Sequence, residues 1–244
     1  VLERALNGAV WAGLQNCGQS CAGIERIYVH RDVYAPFVAG LKQRVEGLRL
    51  GVDRAHQVDI GALCTRRQAL KVKEHVNQAL AMGATIAARA EVPEGLERGN
   101  FLPVTVLEGV DHRMRVMTEE TFGPVLGIMP VDDMDEALRL ANDSMLGLTG
   151  SVWSRDTRSA QKLGSRIHAG VVTINDHLLT HGLAETPWGG FKESGIGRSH
   201  GRQGFAEMTE TQVMVSERLP MLRRNLFWHP FSPAPTPTPA RTAT

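Results

Sequence analysis

A chain of 244 residues that is 42% hydrophobic has the material for one large or two small domains around a substantial core. Its 27 basic and 26 acidic residues leave a net charge of +1, which excludes the broad basic footprint of a nucleic-acid-binding protein; Arg66-Arg67 and Arg223-Arg224 are short, solvated runs. Three cysteines at unrelated spacings give neither a disulfide framework nor a metal pattern, and no run of ~18 apolar residues or charged-apolar-small leader is present, so a cytoplasmic protein without metal or membrane span is expected.

In chain order, residues 1–16 read as a helix with Leu2, Ala5, Leu6, Val10 and Leu14 on one face. Residues 25–30 read as a buried strand through the β-formers Ile27, Tyr28 and Val29. Arg31-Asp32 then caps a helix carrying Tyr34, Phe37, Val38, Leu41 and Val45, which Gly47 and Gly51 stop. A third helix is expected over residues 64–82, ended by Gly83, with a short strand over 84–87. Further strands are expected over 103–107, 125–130, 148–154 and 170–175. Helices are expected over 134–141, behind the acidic cap Asp132-Asp133, and over 157–167. Strands alternating with helices of this length indicate βαβ units and a mainly parallel sheet.

Residues 178–198 form a Gly-, Pro- and His-rich connection without periodicity, and loops of that length are usually functional or disordered. Residues 212–215 read as a short β segment with Val213 and Val215 on one side. From Ser232 the Pro-, Ala- and Thr-rich composition is that of an extended, solvated tail. No internal repeat is found.

Cys21 is the candidate nucleophile. It closes the small-residue turn Asn16-Cys17-Gly18-Gln19-Ser20-Cys21-Ala22-Gly23, which runs into the apolar stretch Ile27-Tyr28-Val29. A thiol attacks as its thiolate, so an ordinary pKa of ~8.5 has to be lowered by local donors, a helix end or a base. Closely spaced turn amides can supply those donors. Taken alone, a lone cysteine is more often a small buried apolar residue. Cys17 lacks the second pair that a metal site needs, and Cys64, just before a helix, reads as structural. Glu120 and Phe122, taken alone, are a charged loop end and a core aromatic. The glycines of Gly195-Ile196-Gly197-Arg198-Ser199-His200-Gly201 follow no strand and lack Gly-x-Gly-x-x-Gly spacing, so with Gly189 and Gly190 they read as turn formers.

Three segments change those odds: Gly18-Gln19-Ser20-Cys21, Glu119-Glu120-Thr121-Phe122-Gly123-Pro124-Val125, and Pro187-Trp188-Gly189-Gly190-Phe191-Lys192-Glu193-Ser194-Gly195-Ile196-Gly197-Arg198. Lesser matches lie at Phe101-Leu102-Pro103-Val104-Thr105-Val106-Leu107, Asn142-Asp143-Ser144-Met145-Leu146-Gly147-Leu148 and Gly170-Val171-Val172-Thr173-Ile174-Asn175. In this order, over about residues 1–216, they closely resemble the NAD(P)-dependent aldehyde dehydrogenase superfamily.

The resemblance implies an α/β fold: a catalytic domain with a mainly parallel sheet over 1–198, a return helix and oligomerisation strand over 199–218, and a tail over 219–244, disordered from 232. It implies Cys21 as nucleophile, Glu120 on the ribose beside the nicotinamide, Phe122 packed near that ring, and NAD or NADP as cofactor. A carboxylate suits a ribose diol because it can accept both hydroxyl protons. The substrate implied is a small-molecule aldehyde, and the assembly a homodimer or homotetramer built through the late strand. Gln68 and Lys71 fall near the cofactor ribose in a looser alignment, with a solvated helix face as the equal reading. Trp188 and His181 are placed to line an aldehyde entrance, although His177 and His181 read equally as exposed loop histidines, neither of them catalytic.

In the family, the Gly-rich dinucleotide segment, the oxyanion asparagine and the general-base glutamate all precede the cysteine. Here the sole acidic residue before Cys21 is Glu3. The chain therefore reads as the C-terminal half of such an enzyme, inactive in isolation. The competing readings are a non-catalytic fragment or assembly module and, behind it, a cysteine esterase.

Overall fold

A computed structural model describes residues 1–96, 98–218, 221, 228 and 229 of the chain. They fall into two units, Val1–Thr209 and Glu210–Thr244. In the first unit, helix α1 (Leu2–Leu14) buries Leu6, Ala9, Ala12, Gly13 and Leu14 and passes into a 3-10 turn over Gln15–Gly18. Strand β1 (Arg26–His30) leads directly into helix α2 (Arg31–Glu46), which buries Phe37, Leu41 and Val45. The cap of α2 is His30 rather than Arg31-Asp32: its Nδ1 accepts the Asp32 amide at 3.3 Å, because the strand runs into the helix without a loop.

Helix α3 (Arg66–Ala81) starts at Thr65, whose hydroxyl accepts the Gln68 amide at 3.2 Å. It is followed by β2 (Thr85–Ala90), β3 (Val104–Glu108), the single-turn helix α4 (Arg115–Thr118) and β4 (Val125–Val131). Helix α5 (Met134–Asn142) is capped by Asp133, which accepts the Glu136 amide, as the acidic pair leads one to expect. Then come β5 (Leu146–Gly147), β6 (Thr149–Val152), α6 (Thr157–Gly164), β7 (Val171–Ile174), β8 (Phe191–Lys192) and α7 (Gly201–Glu207).

The largest sheet has the order β1-β4-β3-β2, with β1 and β3 parallel to β4 and β2 antiparallel at the edge. Strand β6 pairs in parallel with β7, and β5 pairs antiparallel with β8. The α/β class and the mainly parallel pairing match the expectation. Strands β3 and β4 lie at the centre, with Val104, Leu107, Leu126 and Ile128 fully buried against Leu6 and Leu14 of α1 and Leu41 and Val45 of α2. Each such side chain contributes roughly 1.5–3 kcal/mol by leaving water. Gly127 in β4 has no side chain because the Met117 sulfur lies only 2.6 Å from where a Cβ would stand.

Some boundaries move. The strand expected over 148–154 is the shorter Thr149–Val152, paired with β7, and a separate two-residue strand, Leu146–Gly147, precedes it and pairs with β8. The connection over 178–198 is ordered by a 3-10 turn at Leu179–Gly182, by β8 and by a bridge between Trp188 and Ser199. In the second unit, residues 210–217 carry no regular structure, so 212–215 is not a strand in the single chain. The tail expected from 232 lies outside the described residues. No helix among the described residues is long and apolar enough to cross a membrane.

Candidate active site

The backbone leading to Cys21 is held in an unusual shape. Asn16, Cys17 and Gly18 have φ of 52°, 59° and 71°, three consecutive left-handed residues. Non-glycine residues pay for that conformation by ~1–2 kcal/mol each. Reciprocal side-chain bonds oppose the strain: Asn16 Nδ2 donates to the Gln19 carbonyl and Gln19 Nε2 to the Asn16 carbonyl, each at 3.0 Å. Gln19 Oε1 also accepts the Cys64 amide at 2.8 Å, tying in the segment before α3. A Cβ on Gly18 would run into the Gly123 carbonyl, so the turn rests directly on the loop that follows Glu120.

Beyond the turn, the Gly23 amide donates to the Ser20 carbonyl at 2.9 Å and leaves Cys21 exposed at the bend. The Ala22 carbonyl accepts from His177 Nε2 at 2.8 Å, with the Thr149 hydroxyl at 3.4 Å. His177 is 4% exposed, and burial pushes its pKa below the ordinary imidazole value, so it is the neutral ring with its proton on Nε2. It is thus a buried support behind Cys21 and not an exposed loop histidine. His181 is exposed, with its ring edge-on to Trp188 at 4.9 Å.

The facing loop is fixed from below. The half-buried Glu25 carboxyl accepts the amides of Thr121 and Phe122, both at 2.8 Å. Burial raises its pKa, and the two amide bonds and Arg26 only partly oppose that. Gln68 Nε2 donates to the carbonyls of Thr121 (2.7 Å) and Phe122 (3.0 Å), and Lys71 Nζ donates to the Glu120 carbonyl at 2.5 Å. His75, fully buried, meets the Thr121 hydroxyl at 3.1 Å. Gln68 and Lys71 therefore form no solvated face: they hold the backbone of the Glu120 loop. With that backbone held, the Glu120 side chain remains exposed.

Cys21, Glu120 and His177 line one cleft of about 1400 Å³. Phe122, half-buried at φ 54°, sits on the same loop but is not part of the cleft lining. Cys17 is buried, and burial, then the neighbouring Cys64, push its thiol up to about 12, which removes it as a nucleophile near neutral pH. Among the described residues, no group of His, Cys, Asp and Glu is placed to hold a metal ion. Sequence reasoning missed Glu25. Its one visible signal is an acidic residue at the mouth of an apolar strand, four positions after the cysteine.

The sequence and fold of this chain match those of known proteins. Residues 2–214 match the model of the aldehyde dehydrogenase family. A 4,4'-diapolycopene aldehyde oxidase of Methylomonas sp is 38% identical over 231 residues, which cover 95% of this chain and 42% of that protein. A putative succinate-semialdehyde dehydrogenase [NADP(+)] of Mycolicibacterium smegmatis is 36% identical over 219 residues, covering 89% and 42%. Among solved structures, Staphylococcus aureus betaine aldehyde dehydrogenase with NAD+ superposes with a TM-score of 0.80 at 36% identity, covering 84% of this chain and 41% of that one. Mycobacterium tuberculosis aldehyde dehydrogenase with NAD+ gives 0.81 at 35% identity, covering 86% and 43%. The chain spans about 42% of the length of the curated relatives it matches. A family match over nearly the whole chain, joined to this fold, makes it a member of the aldehyde dehydrogenase family.

Proposed function

We propose that this chain is the thiol-bearing catalytic portion of an enzyme that oxidises an aldehyde to a carboxylic acid with NAD or NADP. The observation that carries the reading is the pairing, in one cleft, of an exposed Cys21 with the exposed carboxylate of a firmly held Glu120 loop. As thiolate, the Cys21 sulfur adds to the aldehyde carbon and forms a hemithioacetal. Its oxyanion is met by the Cys21 amide at the turn. Loss of hydride from that carbon leaves a thioester on Cys21, and water then cleaves the carbon–sulfur bond, releasing the acid and restoring the thiol. When bound, NAD or NADP supplies the acceptor for that hydride. Glu120 suits one end of such a cofactor, since its free carboxylate can accept from both hydroxyls of a ribose diol. Phe122, on the same loop, is the residue that would pack near the nicotinamide ring. Two solved relatives hold NAD+, and one apo structure of the Staphylococcus aureus enzyme carries a cysteine modified by BME, in keeping with a reactive thiol in this family.

The pyrophosphate needs a glycine-rich turn at a helix N-terminus. The turn formers at Gly195 and Gly197 do not provide one, since they follow the two-residue strand β8 through a loop. The 244-residue chain should therefore neither bind NAD tightly nor turn over aldehydes by itself, and its coverage of 42% of its relatives favours that view. The deciding experiment is the full-length protein with Cys21→Ser. Loss of NAD(P)H formation across an aldehyde panel, with cofactor binding retained, is the expected result. Turnover that survives the substitution would remove Cys21 from the reaction. NADH production by the isolated chain would show that it already contains a base.

A further inference from the structure

Lys71 holds the Glu120 carbonyl, but among the described residues no hydrogen bond or ion pair holds the Glu120 carboxylate itself. Its direction therefore follows from the backbone that carries it and from what grips the residues on either side. Helix α3 lies along this segment with Gln68, Lys71, His75 and Gln78 in one stripe at helical spacing. Gln78 Oε1 accepts the Arg115 amide at 3.2 Å, Lys71 meets the Glu120 carbonyl, and Gln68 meets the carbonyls of Thr121 and Phe122. These three bind main chain. His75 differs, because it takes side chains. Its Nδ1 lies 3.1 Å from the Thr121 hydroxyl, and its Nε2 lies 3.5 Å from the Glu119 carboxylate. Those two residues are the immediate neighbours of Glu120.

The position of the ring proton follows from these neighbours. Arg115 grips Glu119 with Nε and Nη2, both at 3.0 Å, and holds that carboxyl below the usual carboxylate range. An ionised carboxylate only accepts, so the nitrogen facing it, Nε2, carries the proton. His75 is fully buried, and burial, then Arg115, hold it below the ordinary imidazole value, so the ring is neutral near pH 7. Nδ1 is therefore bare and accepts from the Thr121 hydroxyl. Nε2 has no hydrogen-bond partner among the described residues, and its proton faces Glu119 across a distance too long for a full bond. Lys71 and Glu74 of α3 are the other charges near the ring.

We propose that His75 is a positioning residue for the cofactor: by holding the side chains on either side of Glu120, it sets the direction in which that carboxylate leaves the loop. Glu119 has extended backbone, at φ −108° and ψ 158°. In an extended segment alternate side chains leave on one side, and the residue between them leaves on the other. With Glu119 and Thr121 both turned to His75, Glu120 is turned away from α3, toward the cleft it lines. Rotation of the segment about its own axis would swing the Glu120 carboxylate, and a grip on two alternate side chains opposes it. A carboxylate meets both hydroxyls of a diol only when correctly turned, so a small swing costs affinity. The inference rests on the reading of Glu120 as the carboxylate that meets the ribose.

Titration calorimetry of the full-length protein with NAD+ and NADP+ tests it without turnover. His75→Phe fills the space of the ring without either nitrogen, and Thr121→Val removes the hydroxyl from the other side of the bond. Each should raise the dissociation constant of the preferred cofactor about fivefold, the worth of one hydrogen bond, and Glu120→Ala at least as much. Combined with Glu120→Ala, His75→Phe should add nothing further, since the group it aims is gone. His75→Asn, whose amide oxygen reaches the place of Nδ1, should recover part of the affinity. Iodoacetamide should label Cys21 at the parent rate in every variant. Should His75→Phe fail to fold, Thr121→Val alone and with Glu120→Ala gives the same cycle. Losses that add in the double variant would overturn the proposal, because independent loosening of the loop adds. Parent affinity in both His75→Phe and Thr121→Val, with Glu120→Ala weakened, would overturn it and leave Glu120 on the ribose. Parent affinity in Glu120→Ala would remove Glu120 from the ribose, and this proposal with it.

Discussion

Glu25 holds the Phe122 amide at 2.8 Å from a position only four residues after Cys21, so a single half-buried carboxyl couples the Cys21 segment to the loop that presents Glu120. The Thr121 amide is held by its other oxygen. Glu25→Ala would leave both amides without an acceptor, and a destabilisation of about 2–4 kcal/mol is expected for two such groups. Glu25→Gln, which keeps one carbonyl acceptor, should fall between this variant and the parent. Urea unfolding of the three chains measures the order. A Glu25→Ala chain as stable as the parent would mean that Gln68 and Lys71 hold the loop unaided.

Gly18 is required twice over, by a φ of 71° and by its contact with Gly123. An alanine there adds the left-handed penalty of ~1–2 kcal/mol to a clash with a backbone carbonyl that has no room to retreat. Gly18→Ala should therefore destabilise the chain more than Gly61→Ala, where a Cβ meets nothing and φ is not left-handed. Thermal unfolding of both variants decides it. Equal midpoints would show that the turn moves freely on the Glu120 loop.

The elements were largely legible because their apolar spacing is local: α1, α2, α3 and β4 fall within a few residues of the expected ranges. The misses depend on distant partners. The two-residue β5 escapes notice because it forms only when β8, more than forty residues later, captures Leu146 and Gly147. Helix α4 is one turn, too short to show a period. At the site, the motifs point to Cys21 and Glu120, but the residues that position them do not stand out. Glu25 before a strand looks like any charged strand end until its loop partner arrives 97 positions later. His177 becomes a buried support only because the chain returns it to Ala22, 155 positions earlier.

Thiol reactivity should follow burial among the three cysteines. Cys17, buried and pushed up to about 12, should resist iodoacetamide in the native chain at neutral pH, whereas Cys21 and Cys64 are exposed. Peptide mapping after timed labelling gives the ratios. In the full-length enzyme, loss of activity should track Cys21 alone. Inactivation that follows Cys64 while Cys21 stays free would contradict the assignment of the nucleophile.

Two buried histidines predict a direction for stability against pH. His75 and His177 both have pKa values held below the ordinary imidazole value of 6.5, in each case first by burial. Below about 6.5 the unfolded chain takes up protons that the folded chain refuses, so stability falls as pH drops from 6.5 toward the lowered folded values. Above that window neither residue contributes a slope. Urea midpoints at pH 7.5, 6.5 and 5.5 should decline in that order, and His177→Gln should flatten part of the decline. A midpoint that rises on acidification would show that the two rings do not govern the slope, and that a group with a raised folded pKa such as Glu25 does.

Val213 and Val215, 79% and 87% exposed, flank Met214 at 84%, so the described chain presents three successive apolar side chains to solvent. Residues 212–215 form no strand in the single chain, and a strand there needs a sheet edge from elsewhere to satisfy its backbone donors. The expectation is that a second copy provides that edge in the full-length protein, giving a homodimer or homotetramer. Val213→Pro removes one ladder donor and bars the pairing at its middle. Light scattering of the full-length variant should then report a smaller species than the parent. An unchanged mass would show that the segment packs within its own subunit and that assembly runs through another face.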